Sequence, residues 1–431
     1  MSPLKNFGTA LLSGALLCVA VDAVAATATT PQQLTLAQAI EVAFAHNPDL
    51  RQSVLGVDGA AAMLEVASAQ PNPTLTVQTM GINPRAGIGA GSLRAKTVDS
   101  TLRLDQLIER GGKRGFRMDA ARGLEQAAKA DLHDVRRRLR QQVSLAYYDL
   151  LSARERLNIT RQSAQLFDST VQAAQKRQRA GDLAPADVAR AQVDALRAHN
   201  DALQAQSDVF QMQQSLLLIM GQPIDGGVIE PSDSWPVNPP PGAPVADSVL
   251  LLRADVRAAQ ARLDAALSSR QLALASRVAD VTVVLQAEHF PATASNGQGS
   301  GNSYGIALQI PLFVRYAYGG EIRSAAVAAD MARENLDQVR VVARSELQLA
   351  AVHLRVAYQR MRRDDDELLV VAKKSADAAE FAFAHGALGI MDLLDVRRTY
   401  RSAQLDALAA HADYAKSLTD AQAAASESTT E

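Results

Sequence analysis

Residues 124–150 read LEQAAKADLHDVRRRLRQQVSLAYYDL, and residues 328–354, 204 positions further on, read AADMARENLDQVRVVARSELQLAAVHL. Both segments carry apolar side chains at the same eight positions, the first from Leu124 to Leu150 and the second from Ala328 to Leu354. The mean spacing within each set is about 3.7 residues, which is typical of one face of an α-helix. The match predicts a chain made of two copies of one unit, each built around a long helix.

Further landmarks recur at nearly the same offset. The pair Gly111-Gly112 recurs as Gly319-Gly320, and Gly181 recurs as Gly386. A segment rich in Pro and Gly, with three consecutive prolines at 239–241, separates the two copies, and neither a helix nor a central strand would tolerate it. We therefore predict a first repeat over residues 34–220, a linker over 221–246, a second repeat over 247–424 and a disordered tail over 425–431.

Each copy has the pattern of helix, strand, loop, strand, long helix, turn and helix. In the first copy we predict helix 36–70, strands 75–80 and 101–105 around the Gly-rich loop 81–91, helix 113–180, and a last helix that ends near residue 220. In the second copy we predict helices 247–278, 320–385 and 390–424, with strands 281–290 and 304–310 around the loop 291–301. A helix of about 68 residues spans about 100 Å, so neighbours of similar length must cover it. The two shorter helices of each copy, laid end to end, supply such a neighbour, and the six helices therefore predict four full-length rods.

The apolar spacing changes along the first long helix. It is near 3.7 residues up to Leu150 and then becomes a seven-residue step through Leu157 and Ala164 to Val171. A spacing near 3.67 keeps neighbouring helices almost straight, whereas a spacing of 3.5 imposes left-handed coiling. We therefore expect the rods to form a broad cylinder wall at one end and to coil inward at the end that carries the glycine turns.

The four predicted strands have the alternating pattern, and the length of about ten residues, of strands that cross an outer membrane. Four strands cannot close into a barrel, and open strand edges are not tolerated in lipid. Two chains would supply eight strands, and three chains would supply twelve. A small soluble β-domain on a helical stalk is the alternative. The predicted fold class is therefore mainly α with a small β part, in which long antiparallel coiled helices form an α-barrel tunnel and each chain contributes four strands to an oligomeric transmembrane β-barrel.

Composition and the N-terminus exclude several classes of protein. The chain has 44 basic and 46 acidic residues, so a nucleic-acid partner, which requires a basic surplus, is not expected. The mean hydropathy is −0.06, and no stretch of about 18 apolar residues follows the N-terminus, which excludes a helical membrane transporter. Lys5, a short apolar run and small residues near Ala25 predict a signal peptide over residues 1–25, and hence a mature protein outside the cytoplasm. Cys18, the only cysteine, lies in that run, and Leu17 before it argues against a lipoprotein cleavage site.

The sequence carries no pattern of catalytic chemistry. The seven histidines stand at positions 46, 133, 199, 289, 353, 385 and 411, and no two lie within four residues of each other, so no helical pair of metal ligands is present. No Gly-rich loop that could hold a phosphate follows a predicted strand. We therefore predict neither an enzyme nor a bound cofactor or metal.

Four local patterns resemble the outer-membrane efflux factors related to TolC. Residues 105–114, DQLIERGGKR, are similar to the strand-to-helix passage of that family, and residues 310–313, IPLF, are the counterpart in the second repeat. Residues 386–395, GALGIMDLLD, are similar to its second helical turn, and residues 47–50, NPDL, to its first helix. The resemblance covers about residues 34–424. The segment GGKR at residues 111–114 is similar to that of the family branch that exports divalent heavy-metal cations in cobalt-zinc-cadmium resistance systems.

The resemblance implies a homotrimer with a twelve-stranded barrel in the outer membrane and a twelve-helix tunnel in the periplasm. Such a protein is a passive exit duct that works with a periplasmic adaptor and a proton-driven pump of the inner membrane. Heavy-metal cations are the implied cargo, and organic drugs are the alternative cargo. A periplasmic coiled-coil adaptor or scaffold without a pore is the alternative function. Adaptors usually carry one helical hairpin, whereas this chain has two, and the second hairpin favours the duct.

The resemblance also implies where the pore narrows. Asp392 and Asp395 match the two Asp positions of the family's constriction, and Asp187 occupies the equivalent place in the first copy. Three chains would bring a ring of carboxylates around a narrow opening, which would attract cations and repel anions. For Asp392 alone, the alternative is a carboxylate favoured by the dipole at a helix N-terminus. In the family an Arg of the second turn can tie the two turns together, but Leu388 occupies that position here, so we expect closure by apolar contacts. The remaining expected site residues are Gly181 and Gly386 at the turns, Phe383, Leu388 and Met391 for closure, and Gly111, Gly112, Lys113, Arg114 and Pro311 at the strand-to-helix passage.

Overall fold

A computed structural model describes residues 32–82, 98–223, 228–240, 247–291 and 299–425. The predicted signal peptide, most of the two predicted loops and tail residues 426–431 lie outside these described residues.

The described elements follow the predicted order closely. The first copy contains β1 (Gln32–Leu34), α1 (Leu36–His46), α2 (Pro48–Ser68), β2 (Thr74–Met80), β3 (Asp99–Ile108), α3 (Lys113–Arg179) and α4 (Pro185–Ile219). The linker contains β4 (Ile229–Pro231). The second copy contains α5 (Asp247–Leu252), α6 (Ala254–Ala275), β5 (Val281–Phe290), β6 (Gly301–Gln309), α7 (Gly319–Arg363), α8 (Leu369–Ala384) and α9 (Ile390–Ala425). A five-residue π-helical turn, Asp364–Leu368, joins α7 to α8. The prediction of a mainly α fold with a small β part is confirmed.

The prediction of a single first helix in each copy is wrong, because each of these helices is broken. Asn47 is extended (φ −64°, ψ 128°) between α1 and α2, since Pro48 disfavours the helical conformation of the residue before it. Asn47 then caps α2 by accepting a hydrogen bond from the Leu50 N–H (3.1 Å). Its side-chain amide donates to the Ile219 carbonyl at the end of α4 (2.9 Å). Arg253 is extended at the equivalent break between α5 and α6.

The helices form four rods side by side, as predicted. α3, with 67 residues, packs against α2 and α4 and also against α6 and α9, and α9 packs against both α7 and α8. The lateral order is therefore α2 with α4, then α3, then α6 with α9, and then α7 with α8. Small residues permit this close packing: a Cβ added to Gly123 of α3 would lie 2.9 Å from the Cβ of Ala265 of α6.

A short parallel pairing of β1 with β4, which the sequence did not predict, fixes the linker against α3. The hydroxyl of the fully buried Tyr147 donates to the Leu34 carbonyl (3.0 Å) and accepts from the backbone N–H groups of Ser232 and Asp233 (3.2 and 3.1 Å). Burial is the main reason that the pKa of Tyr147 rises to about 12. This phenol therefore stays a neutral donor and acceptor that joins the linker to the first copy.

The four predicted strands form one antiparallel sheet in the order β2-β3-β5-β6. Leu75, Leu104, Leu285 and Ile306 lie in register across the four strands, and all four are exposed (60%, 38%, 47% and 78%). The next row in register on the opposite face holds Thr76, Arg103, Gln286 and Gly305. The sheet thus has one apolar face and one polar face. Within the described part of the chain, no helix is long and apolar enough to cross a membrane.

Candidate functional site

Two helical hairpins, α3 with α4 and α8 with α9, end at Gly181 and Gly386, the two predicted turns. Both glycines have positive φ values (+87° and +76°), a backbone conformation that favours glycine. The N–H of the next residue, Asp182 or Ala387, bonds back to the carbonyl five residues earlier (2.9 and 2.8 Å), as in a Schellman helix end. The two copies therefore end their long helices with the same motif.

The two carboxylates predicted at the constriction lie on one exposed face of α9. Asp392 and Asp395 are exposed, whereas Leu393 and Leu394 between them are buried. A Cβ added to Gly389, just before α9, would lie 3.3 Å from Oδ2 of Asp392, so this carboxylate is close to the helix N-terminus, where the dipole favours it. Neither carboxylate has a salt-bridge partner among the described residues. Asp187, in the first turn of α4, is half-buried.

The apolar residues predicted to close the tip divide into two groups. Phe383 and Met391 pack against an intrachain cluster that includes Phe167 of α3, Val188 of α4 and Leu394 of α9. The guanidinium of Arg177 lies 5.3 Å from the centre of the Phe383 ring. Phe383 and Met391 thus contribute to the core of a single chain. Leu388 is half-buried and is not a member of this cluster.

Three arginines of α9 tie the two hairpins together, and sequence reasoning missed them. Arg397 donates to the Leu166 carbonyl (2.7 Å) and to Thr170 Oγ1, both on α3, and Arg398 pairs with Asp194 of α4. Arg401 pairs with Asp201 of α4 at 2.9 Å. We call these three arginines and their partners the α9 latch. A sequence signal for this latch does exist. Asp194 and Asp201 are seven residues apart on α4, and the three arginines lie within five residues of α9.

The predicted strand-to-helix passage joins the sheet to the rods. Gly111 and Gly112 both have positive φ (74° and 73°), and a Cβ on Gly111 would lie 3.0 Å from the Cβ of Val278. Lys113 Nζ lies 2.8 Å from Oδ2 of Asp280, just before β5, and Oδ1 of the same carboxylate accepts from the Arg110 N–H (2.9 Å). Burial raises the pKa of Asp280, but the bonds from these two groups outweigh it and hold the pKa below its ordinary value.

Arginines of the same passage complete the C-terminus of α2. Arg114 Nε donates to the Ser68 carbonyl (2.6 Å), and Arg117 donates to the carbonyls of Ala67 and Ala69 (3.0 and 3.1 Å). Arg117 also holds Glu109 through two bonds (2.6 and 3.1 Å), and its hydrogen bond lowers the pKa of this carboxylate. Cations at a helix C-terminus are favourable, so the GGKR segment is explained by its structural bonds.

The second copy makes this passage differently. Pro311 is exposed, two residues after the end of β6. The residue before α7 is Tyr318, which has a positive φ (57°), and it therefore takes the place that Gly112 takes before α3. The predicted correspondence of Gly111-Gly112 with Gly319-Gly320 is thus wrong by two residues. The phenol of Tyr316 steadies this turn by accepting from the Gly320 N–H (2.8 Å) and donating to Glu321 (2.6 Å).

No group of three or more His, Cys, Asp and Glu side chains that could hold a metal ion occurs in the described ranges. The described chain thus offers exposed carboxylates at a hairpin tip, a latch of ion pairs and an amphipathic sheet.

Residues 39–222 and 245–425 match a family model described as outer membrane efflux protein. The chain belongs to this family. The match in two segments covers most of the chain, and the predicted resemblance to TolC-related efflux factors is confirmed. This protein is thus an outer-membrane efflux channel with a long helical extension in the periplasm.

Individual relatives agree with the family assignment. The chain is 27% identical over 374 residues to the cobalt-zinc-cadmium resistance protein CzcC of Cupriavidus metallidurans, covering 86% of this chain and 85% of that one. Its fold is similar to the structure of CusC, described in terms of transmembrane channel formation, with a TM-score of 0.76, 17% identity and coverage of 91% and 92%. The outer membrane protein VceC of Vibrio cholerae has a TM-score of 0.74, 19% identity and coverage of 91% and 96%.

Proposed function

We propose that three copies of this chain assemble into a passive exit duct that receives heavy-metal cations from a proton-driven inner-membrane pump through a periplasmic adaptor. The observation that carries this proposal is that a single chain leaves both of its lateral edges open. At the level of the sheet, β2 and β6 each have only one neighbour among the described strands. A ring of copies would give each edge a partner.

The outermost rods of the lateral order, α2 with α4 and α7 with α8, carry exposed apolar stripes. Leu196, Leu203 and Phe210 of α4 follow one another at seven-residue steps on one edge, and each is about two-thirds exposed (65%, 66% and 64%). Val342, Leu349 and Val356 of α7 repeat this spacing on the other edge, with 48%, 55% and 58% exposure. Apolar stripes at seven-residue spacing are typical of coiled-coil contacts. Because the two stripes lie on the two outermost rods, they fit a head-to-tail contact that repeats around an axis.

The strand directions fit the same closure. Each neighbouring pair in the sheet is antiparallel, so β6 of one copy would lie antiparallel to β2 of the next, and every backbone edge would be paired. The exposed apolar face of the sheet would then contact lipid. The polar face, which carries Arg103 bonded to Asp105 (2.9 Å), would line the lumen. The number of three copies comes from the family resemblance.

The sheet faces give a direct test of membrane insertion. Ile306 lies on the apolar face, and Ala307, which is also exposed, lies on the polar face. Ile306→Lys should destabilise the barrel by about 2–4 kcal/mol, because a lysine near the bilayer midplane is costly, and Ala307→Lys should have little effect. The measurement is the yield of heat-modifiable trimer in the outer-membrane fraction. Equal yields from the two variants, or a soluble monomer from the unmodified chain, would contradict the duct and favour the adaptor or scaffold.

The cargo is inferred from two observations. The similarity to CzcC, whose name denotes cobalt, zinc and cadmium resistance, favours metal cations. The exposed Asp392 and Asp395 on the tip of α9 would favour the passage of cations in a ring of copies. Deletion of the gene should lower the tolerance of the cell to zinc, cobalt, cadmium or nickel. Unchanged metal tolerance together with greater sensitivity to organic drugs would contradict the metal cargo and indicate that the duct exports organic compounds.

A further inference from the structure

The internal repeat matches the two open edges of the chain to each other. Within a chain, α3, the long helix of the first repeat, packs against α6, the first long segment of the second repeat. The equivalent contact of the second repeat would join α7 to α2, but these two helices lie in the outermost rods, on opposite sides of α3 and α6. A single chain therefore cannot make this contact, whereas two neighbouring chains can.

One face of α3 is covered by the second repeat, and the same face of α7 is uncovered. Four positions on this face of α3 are buried: Ala120, Gly123, Ala127 and Asp134. Their counterparts at the offset of 204 are all exposed on α7: Ser324, Val327, Met331 and Gln338. The spacings of three, four and seven residues place each set on one side of its helix. In one chain, α7 thus lacks the cover that α3 has.

The helix α2 differs from α6 in the complementary way. These helices match at an offset of 206, at which Asp58-Gly59-Ala60 corresponds to Asp264-Ala265-Ala266. Three positions of α6 are buried: Ala258, Ala261 and Ala265. Their counterparts on α2 are exposed: Gln52, Leu55 and Gly59. In one chain, α2 therefore lacks the cover that α3 gives to α6.

A glycine lies on one side of the internal contact and on the other side of the expected one. Within a chain, Gly123 of α3 faces Ala265 of α6, with 2.9 Å between an added Cβ and the Cβ of the alanine. Their counterparts are Val327 of α7, which is 57% exposed, and Gly59 of α2. A Cβ on Gly59 would meet no atom of the described residues within 4 Å. Glycine inside a helix is destabilising relative to alanine, and the single chain gives no packing reason for it, whereas a valine from a neighbour would.

A second internal contact has an apolar counterpart at the open edges. Within a chain, Arg137 of α3 donates to the carbonyl of Ala423 near the end of α9 (3.2 Å). At offsets of 204 and 205, these residues correspond to Val341 of α7 and Leu218 of α4. Both are highly exposed in one chain (69% and 71%). A polar contact inside the chain thus corresponds to two apolar side chains that would be removed from water if the edges met.

The two expected contacts have the same spacing on both rods. On α7 the two valines are 14 residues, or about 21 Å, apart. On the other rod, Gly59 lies 12 residues, or about 18 Å, from Asn47. The Asn47 amide bonds to the carbonyl of Ile219, next to Leu218 (2.9 Å). The two partners on this rod are therefore also about 20 Å apart, and both contacts can form at once.

We propose that α7 of one chain packs against α2 and α4 of the next chain in the register in which α3 packs against α6 and α9 within a chain. Val327 then lies over Gly59 of the next chain, and Val341 contacts Leu218 of the next chain. The partner is a second copy of this chain, because each edge supplies the cover that the other edge lacks. This packing rests on the proposed assembly into a ring, and it specifies which residues meet there.

Disulfide cross-linking tests this register. Cys18 is the only cysteine and lies in the predicted signal peptide, so introduced cysteines would be the only ones in the mature chain. We expect oxidation of outer membranes to link Gly59→Cys/Val327→Cys and Leu218→Cys/Val341→Cys into covalent trimers on denaturing gels without reductant. A disulfide requires Cα atoms within about 7 Å. The two outermost rods of one chain are three interaxial steps of about 8–10 Å apart, so any such bond joins two chains.

The swapped pairs are the matched controls. Gly59→Cys/Val341→Cys and Leu218→Cys/Val327→Cys use the same four positions, but each cysteine is displaced from its partner by about 20 Å, so these variants should stay monomeric on the gel. Cross-linking of the swapped pairs, or none in the predicted pairs, in trimers that are otherwise intact would overturn the register and leave the duct standing. Absence of trimer from the unmodified chain would contradict the proposed duct and this packing with it.

Moving the glycine from one helix to the other gives a second test. Gly59→Val should lower the yield of heat-modifiable trimer about tenfold or more, because Val327 of the neighbouring chain then has no space. The single chain should still fold, since no described residue lies within 4 Å of a Cβ at this position. Adding Val327→Gly to Gly59→Val should restore the trimer. An unchanged yield from Gly59→Val, or no restoration by the second substitution, would overturn the proposed contact.

Discussion

In the proposed trimer, Arg398→Gln should favour an open tip, because it removes the most buried ion pair of the α9 latch. The partner, Asp194, has a side chain that is only 8% exposed, whereas the Arg398 side chain is 47% exposed. Loss of a charged hydrogen bond to such a carboxylate costs about 1.5–3 kcal/mol, and we take about 2 kcal/mol because the arginine is half in solvent. If the pair exists only in the closed state, the ratio of open to closed tips should rise about 30-fold per chain, since each 1.4 kcal/mol is a factor of ten.

Two measurements detect this opening. Single-channel recordings in planar bilayers should show a higher mean conductance, and cells should become sensitive to large antibiotics that normally do not cross the outer membrane. Arg197→Gln is the matched control: Arg197 lies 3.9 Å from the same Asp194, but on the same helix three residues away, and it therefore cannot tie two hairpins together. Unchanged conductance and antibiotic resistance in Arg398→Gln, with intact trimer, would refute the latch.

Three further predictions concern the pore, the passage and the loops. The double variant Asp392→Asn with Asp395→Asn should lower the cation preference in reversal-potential measurements while the trimer still forms. Unchanged selectivity would show that these carboxylates do not line the constriction. Gly111→Ala should destabilise the protein by about 1–2 kcal/mol because its φ is +74°, whereas Gly115→Ala inside α3 should be neutral or stabilising, as thermal unfolding would measure. An epitope inserted near Gly297, in a predicted extracellular loop outside the described residues, should be stained on intact cells, and staining only after permeabilisation would invert the topology.

The spacing of apolar residues predicted those elements in which one face has the same environment along its whole length. α3 keeps one face against its neighbours for its whole length, so its bounds at Lys113 and Arg179 differ from the prediction by at most one residue. The strands alternate between two faces, and β5 was predicted with its observed bounds. Such patterns follow from the packing of each element along its own length, so they can be recognised in the sequence.

Elements that depend on distant partners were not predictable in this way. β1 and β4 are three residues each and pair across 197 positions, so neither has a pattern of its own. The break at Arg253 has no proline after it. The buried guanidinium of this residue, only 1% exposed, is held by Asp255, by Glu346 (2.8 Å) and by the Ala424 carbonyl (3.1 Å). These contacts come from α6, α7 and α9, and only the assembled fold brings them together.

The same distinction explains the site. The turns at Gly181 and Gly386 were predicted because a left-handed residue at a helix end selects glycine, which is a local requirement. The latch was missed because Arg398 and Asp194 are 204 positions apart and the pair forms only where α9 passes α4. The family resemblance implies a joining Arg at position 388, but this chain has Leu there. The arginines that join the hairpins lie instead about three turns further along α9.

The π-helical turn connects the sequence repeat to the geometry of the tip. In the sequence before this turn, residues of the two copies correspond at an offset of 204, as Leu157 does with Met361. The glycine turns that follow, at Gly181 and Gly386, correspond at an offset of 205. The second copy therefore has one extra residue between these points, and a π turn is the way in which a helix holds one extra residue without ending. With the offset raised to 205, Val171, which fails to match at 204, corresponds to Ala376, and Ala376 is buried (4%). The lapse in the repeat is thus a real insertion, absorbed at Asp364–Leu368. Because one residue rotates a helix by about 100°, the insertion sets which face of α8 meets α9 at the tip. The turn is consequently part of what positions the second hairpin.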